Sequence, residues 1–595
     1  MSKLKEICHD ADVCVVGGGL GGMMTAISAA RQGARVALMH DRPVLGGNAS
    51  SEIRMWISGA GTRVPNLMET GIIEEMIIEN MYRNPSRNWS IWDSVLYEMV
   101  RFEKNIDLIL NCTCNDADMQ DGAIKSVRGF QLTTYTWHTV CAKLFVDCSG
   151  DSILSTLTGA EFRLGRESKK EYGEEFAVDV ADNKTMGMSL MLTAREMPYK
   201  TEYIPPKWAY TFKTEEDMKF RPLEQLTKLN TNYYWIELGG DQDQIGDTES
   251  IRDEELRIAF GVWDHIKNQK DYGADNWQLE WVGFLPGKRE SRRYVGDYTL
   301  TQQDVVSGGH FDDEVAYGGW QIDDHKPGGF KLNYQEALHK LKLTEPYGIP
   351  YRCLYSVNIP NLMFAGRNIS ASHIAFSSTR VMATIALMGQ AVGTAAAMAV
   401  REGLTPRQVG EQRIRALQAQ LMEDDCFLPH IRREIAALSR RARLTAEDGG
   451  DVQVLHNGIE RTIWGEDNGY YCQLGHAITY TFDKPEQISE YRLVLDSDLD
   501  RESMEGEPQL LRLPMINNRA MGYHNMTFGF PRTMVKCFHI DILNEEGMWE
   551  TVADVRDNHQ RLLRGPIGRA AKAVRFVPLE TWGKPSAHLF AFEVR

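Results

Sequence analysis

The chain has 595 residues, and its 82 acidic against 66 basic side chains leave a formal charge of −16, which argues against broad binding to nucleic-acid backbone or an anionic membrane. With 43% hydrophobic and 25% charged residues, and 51 Gly against 21 Pro, it reads as an ordinary globular chain of about four domain equivalents at roughly 150 residues each. Ten cysteines with no Cys-x-x-Cys exclude a disulfide scaffold, a zinc ribbon and a dithiol centre, and the polar start Met1–Asp12 carries no signal-peptide pattern, so the expectation is a cytoplasmic protein with reduced thiols and no metal.

The first predicted element is a short apolar strand, Asp12 to Val16. Gly17-Gly-Gly19-Leu-Gly-Gly22 follows at once, then a helix from Met23 to Arg31 and a second strand from Arg35 to Met39. This is a βαβ unit with a dinucleotide fingerprint: Gly17 permits the tight turn, Gly19 lets backbone approach a pyrophosphate, and Gly22 lets helix and strand close. The phosphates then sit on the positive helix end. Asp41, just past the second strand, is the expected ribose ligand, although His40 stands where an acid is usual; the competing reading makes Asp41 a turn residue before Arg42-Pro43.

Three later segments repeat the theme of a strand or turn ending in small residues. They are Gly46-Gly47-Asn48 within Arg42 to Glu52, Leu144-Phe-Val-Asp147-Cys-Ser-Gly150-Asp151, and Asn361-Leu-Met-Phe-Ala-Gly366-Arg367. With Gly287-Lys-Arg289-Glu-Ser-Arg292-Arg293, Gly296-Asp-Tyr298 and Ile349-Pro-Tyr-Arg352, the series resembles the bacterial FAD-dependent oxidoreductases of the two-dinucleotide-binding-domain class, related to fumarate reductase flavoproteins, over roughly residues 10 to 410. The resemblance implies FAD as cofactor, held by Gly17, Gly19, Gly22, Asp41, Gly46, Gly47, Asn48, Gly150, Asp151, Gly366 and Arg367. No His follows Gly46-Gly47, so the flavin is expected to be non-covalent.

The implied fold class is α/β: a Rossmann-like FAD-binding domain with an inserted α+β substrate domain, plus a C-terminal all-β sandwich. The expected boundaries are 11–158 and 356–403 for the FAD domain, 159–355 for the substrate domain, 404–450 for a helical linker and 451–595 for the sandwich. The weakly polar run Val381 to Val400, made largely of Ala, Gly, Met and Thr, reads as a closely packed buried helix rather than a membrane span. Helical spacing continues through Ile414, Leu417, Leu421 and again Ile431, Ile435, Leu438; polar Ala446 to Asp451 reads as the link, and period-two alternation at Phe538, Ile540, Ile542 and Phe590, Phe592, Val594 marks strands. Residues 457 to 495 weakly resemble galactose-binding-like modules, which serve either ligand binding or assembly.

In the resembled folds the loop after the A-G-R turn faces the flavin, which places His373 as catalytic base and Arg380 as an anchor for an acidic group. An imidazole with its ordinary pKa of about 6.5 suits a carbinol proton near neutrality; packing or holding the flavin is the alternative for His373. Arg289, Arg292, Arg293 and Arg352, with Glu52 and Arg54, are candidate substrate residues, and Glu290 alternatively pairs with an arginine structurally. The reaction expected is hydride transfer from a CH–OH carbon of a carbohydrate-like or polar small molecule to flavin N5. Alternatives are reduction of an activated C=C in a carboxylate, or a non-catalytic or tRNA-modification-type flavoprotein. A small-molecule substrate and an unnamed electron acceptor are the expected partners, with no nucleic acid or membrane and a homo-oligomer left open.

Overall fold

The computed structural model describes residues 4–62, 66–223, 226, 232–269, 272–498 and 530–595. Two compact units result: one from residues 4–62 and the described part of 86–418, the other from 66–85, 419–498 and 530–595.

At the centre of the first unit is a five-stranded parallel sheet, ordered Leu362–Phe364, Leu144–Asp147, Val13–Val16, Val36–Met39, Ile106–Ile109. The inner runs VCVV, VALM and LFVD are buried at every position, as a parallel sheet covered on both faces requires. Register pairs Val16 with Asp147, and Asp147 with Phe364. The turns that follow these three strands therefore lie side by side at one end of the sheet.

Helix Leu20–Arg31 packs against helix Met382–Glu402 with backbone almost touching backbone. A Cβ on Gly389 would lie 2.3 Å from the Gly21 carbonyl oxygen, and one on Gly393 2.3 Å from that of Thr25. Thr25 and Ser28 hydroxyls donate to the carbonyls of Gly389 and Gln390 at 3.1 and 3.0 Å. Met382–Glu402 is long and apolar enough to cross a membrane, yet 89% of its most apolar stretch is buried in this packing.

The inserted region is α+β. Its strand Met188–Glu196 lies between Tyr233–Leu238 and Trp277–Val282 in an antiparallel sheet, and helix Thr248–Asp264 shares a core of Leu190, Tyr233, Val262 and Trp263 with it. A separate ribbon pairs Ile322–His325 with Leu338–Leu341.

The second unit is built on an antiparallel seven-stranded sheet whose two long strands, Ile478–Leu495 and Leu562–Thr581, pair with register breaks. Several expectations change here. Helix Ile72–Arg83, inside the range 11–158, belongs to this unit, and the boundary falls after Gln418 rather than in the polar stretch near 446–451. Arg443–Ala446 is itself a strand paired with Ile478–Thr481. Ile431 and Ile435 are not helical; Pro429 lacks the N–H a helix needs, and only Ala437–Arg441 is wound. Phe538, Ile540 and Ile542 are buried, but so is Asp541 between them, paired with Arg575 at 2.8 Å, and Glu593, expected outside, is fully buried against Arg433. Residues 499–529, inside the expected sandwich, lie outside the described residues.

Candidate active site

Each glycine of the first turn has a distinct physical role. Gly17 has φ +105°, and a Cβ there would lie 2.4 Å from the Cys148 carbonyl oxygen. At Gly22 a Cβ would lie 1.8 Å from the Gly17 carbonyl oxygen, so helix and strand close only without a side chain. Gly19 differs: its Cβ would meet nothing nearer than Gly47 Cα at 3.9 Å. It stands at the start of helix Leu20–Arg31 with no side-chain cap, and it bridges to Gly46. Gly46 and Gly47, at φ +100° and +59°, bring the second glycine turn over the first.

His40 explains the departure at the acidic position. Its Nδ1 accepts from the Gly18 N–H at 2.9 Å, and its Nε2 donates to the Val44 carbonyl at 3.0 Å. Burial lowers its pKa to about 4, so the ring is neutral and pins the glycine turn. Asp41 carries its carboxylate outward at 58% exposure. Nearby, Ser50 Oγ, Arg367 Nε and Asn368 Oδ1 are buried without a hydrogen-bond partner among the described residues. An open glycine cradle on an uncapped helix start, with orphaned buried polar atoms beyond it, fits a dinucleotide such as FAD.

From this cradle the segment Gly287–Arg293 crosses the ends of the strands. Asn48 Nδ2 donates to the Lys288 carbonyl at 3.1 Å, and Ser291 Oγ to the Gly150 carbonyl at 3.2 Å. Asp151 accepts from Lys288 at 2.7 Å and from Arg367 and Ser291 at 2.8 Å. Burial would raise its carboxyl, but Arg367 and Lys288 outweigh that and hold it at about 2. Asp151 thus positions two cations instead of offering a free carboxylate to the cofactor.

Beyond this segment lies a buried array of ionic groups. His373, at the start of helix His373–Thr379, has Nδ1 3.0 Å from Glu290 and Nε2 3.1 Å from Asp324. Burial alone would lower its pKa; the two carboxylates reverse this and raise it to about 10. His373 is therefore an imidazolium at neutral pH, not the near-neutral base expected from its ordinary pKa. Residues alternate across strand Ile322–His325. Asp324 serves His373, while His325 turns the other way, 2.8 Å from Glu237 and 3.2 Å from Asp323. Arg289, Arg293 and Arg380 face Glu237, Glu167 and Asp323 at 3.7, 3.1 and 3.5 Å.

The array gathers His373, Arg380, Arg289 and Arg293 from the candidates but not the other two inserted arginines. Arg352 is half-exposed and paired with Asp313 at 2.9 Å, and Arg292 lies over the Phe162 ring at 5.4 Å. Neither joins the buried array. Glu52 lies 3.7 Å from Arg42, and Arg54 lies over two indole rings. Residues the sequence reading missed are Glu237, Asp323, Asp324, His325 and Glu167. Their one signal was Asp323-Asp-His325 on a strand with no apolar alternation, an ionic run that a sheet buries only when it is paired.

The FAD dependent oxidoreductase family matches residues 12–421. The chain belongs to this family. Its cofactor is FAD, and the residues of the cradle described above fit that group. No curated protein matches the chain in sequence. Among solved structures, a geranylgeranyl bacteriochlorophyll reductase-like protein from Thermoplasma acidophilum is 11% identical, covering 71% of this chain and 85% of its own, with a TM-score of 0.31. OxyS anhydrotetracycline hydroxylase from Streptomyces rimosus is 10% identical over 70% of this chain and 68% of its own, also at 0.31. The family 32 carbohydrate-binding module of Streptococcus pneumoniae EndoD is 16% identical over 26% of this chain and 95% of its own, at 0.18. Likeness at this level carries no information on substrate.

Proposed function

We propose that this FAD-dependent oxidoreductase interconverts a CH–OH carbon and the corresponding carbonyl in a polar, hydroxyl-bearing, carbohydrate-like small molecule. FAD, when bound, supplies two-electron hydride chemistry at N5. The chain must then manage one proton, and the observation that carries the proposal is the buried His373 clamped between Glu290 and Asp324. A cavity of about 10 Å³, room for one oxygen-sized group, is lined by Arg166, Phe176, Val178, Asp324 and His373 beside the ring. There a substrate oxygen shares Nε2 with Asp324, which stays beside the ring. In the carbonyl-reducing direction the imidazolium donates its proton to that oxygen. In the alcohol-oxidising direction a neutral ring must accept it, so oxidation speeds up as pH rises towards about 10.

Each of Arg289, Arg293 and Arg380 already faces a carboxylate, which favours an uncharged reacting group beside them. Anaerobic mixing of the FAD-loaded protein with sugars and hydroxy acids tests the proposal, with loss of flavin absorbance as readout. A second reading, reduction of an activated C=C, draws on the same imidazolium as a ready proton donor. It replaces the first if no alcohol bleaches the flavin while an enoate reoxidises the chemically reduced protein.

A further inference from the structure

We infer that Arg54 anchors an anionic group of the substrate, a carboxylate or phosphate, in a tryptophan-walled slot beside the glycine cradle. The inference rests on the oxidoreductase reading above and deepens it: the substrate carries a hydroxyl to be oxidised and, away from it, an acid. Arg54 belongs to the loop that follows the second glycine turn. Its N–H donates to the Ser50 carbonyl at 2.8 Å, and the next N–H, of Met55, returns to the Asn48 carbonyl at 2.9 Å. The side chain therefore starts beside the cradle, and its backbone has φ +63°, the left-handed region that a non-glycine residue adopts only under strain.

The guanidinium carbon lies 5.1 Å from the centre of the Trp89 ring and 4.3 Å from that of Trp281, and Nε donates to the Ser51 carbonyl at 3.1 Å. Two indole faces and one hydrogen bond fix the plane of the fork, and among the described residues neither terminal nitrogen has a hydrogen-bond partner. Among the candidate substrate cations in the first unit, Arg289, Arg352 and Arg380 each have a carboxylate within ion-pair distance, whereas Arg54 and Arg292 have none among the described residues, and of these two Arg54 is the one on the loop that follows the glycine turns. Glu280 and Asp93 act on it only from farther away. Glu280 is engaged by Arg195 at 2.8 Å, and Asp93 accepts from the Ser51 N–H at 3.2 Å. Burial lowers the guanidinium pKa to about 10, so it is still charged at neutral pH. A partly desolvated, oriented cation without a counter-ion is what a bidentate anion completes.

Isothermal titration of the FAD-loaded protein with inorganic phosphate tests this. Wild type is expected to bind saturably, Arg54→Met to bind about 10–100-fold more weakly, and Arg54→Lys to fall between, because an ammonium keeps the charge but loses the planar fork. Glycerol, which has no charge, should show no dependence on Arg54. FAD content and melting temperature of the variants should match wild type. Equal phosphate affinity in Arg54→Met, or no saturable binding in wild type, overturns the inference. So does loss of FAD from Arg54→Met together with competition between phosphate and FAD, since Arg54 would then hold the cofactor's own pyrophosphate. Arg54-dependent phosphate binding in a protein whose flavin no alcohol reduces would keep the anion site and remove the proposed reaction.

Discussion

Adding one methyl group at Gly22 and the same group at Gly19 should give opposite failures. At Gly22 the new Cβ would lie 1.8 Å from a backbone oxygen, where ordinary contact begins at about 3.4 Å, so helix Leu20–Arg31 must retreat from its strand by about 1.6 Å. The same helix is held on its other side by backbone contacts at Gly389 and Gly393 and cannot move freely. Overpacking in a core costs about 1–3 kcal/mol, and because both clashing partners here are backbone, Gly22→Ala should cost at least about 3 kcal/mol. At Gly19 the nearest atom is 3.9 Å away, so Ala fits the apoprotein without strain and occupies the space a pyrophosphate needs. Gly19→Ala should therefore fold with a wild-type melting temperature and purify with little or no FAD, while Gly22→Ala should melt early. Differential scanning calorimetry of the apoproteins and flavin released on denaturation read both arms. A Gly19→Ala protein fully loaded with FAD, or a Gly22→Ala protein as stable as wild type, would refute the assignment of these roles.

Three further expectations follow from the ionic groups and the unit boundaries. Asp324→Asn removes one of the two carboxylates that charge His373, so the midpoint of the pH profile for flavin reduction should fall by about 1–3 units; an unmoved midpoint would show that Asp324 does not set that proton. Glu593→Gln leaves Arg433 and Arg492 buried with less counter-charge and should destabilise the second unit by about 3–5 kcal/mol by chemical denaturation without changing FAD content. Residues 451–595 expressed alone should fold poorly, since helix Ile72–Arg83 supplies Glu74 beside Arg561 and Tyr82 stacked on His559 at 4.0 Å; circular dichroism of that fragment with and without residues 66–85 fused to it checks this.

The glycine cradle was legible because its requirement is local. Turn, approach and packing are properties of neighbouring residues, and Gly17, Gly19 and Gly22 carry them in six positions. The ionic array was not legible in the same way. His373 meets Glu290 and Asp324 from 83 and 49 residues away, distances along the chain that no motif records. Without those partners an imidazole is assigned its ordinary pKa, and the upward shift the two carboxylates impose is missed. Arg352 looked as good as Arg289 for the same reason: a sequence shows a cation but not whether Asp313 already holds it. His40 was visible as an anomaly, and only the Gly18 N–H on its Nδ1 turns it into a pin for the turn. In the second unit, period-two reading failed at Glu593 because Arg433 and Arg492 reach it on a face the alternation assigns to solvent.

The most direct test of the central claim is the rate of anaerobic flavin reduction by a hydroxylated substrate as a function of pH, in wild type and in His373→Gln. A group whose pKa is raised from about 6.5 to about 10 in the folded protein stays protonated through neutrality. Alcohol oxidation, which needs the neutral ring, should therefore rise steadily from pH 7 to about 10 in wild type. In FAD-replete His373→Gln it should be about 10²–10⁴-fold slower and flat over the same range. A wild-type profile already level at neutral pH, or a variant that keeps both the rate and its slope, would contradict the account.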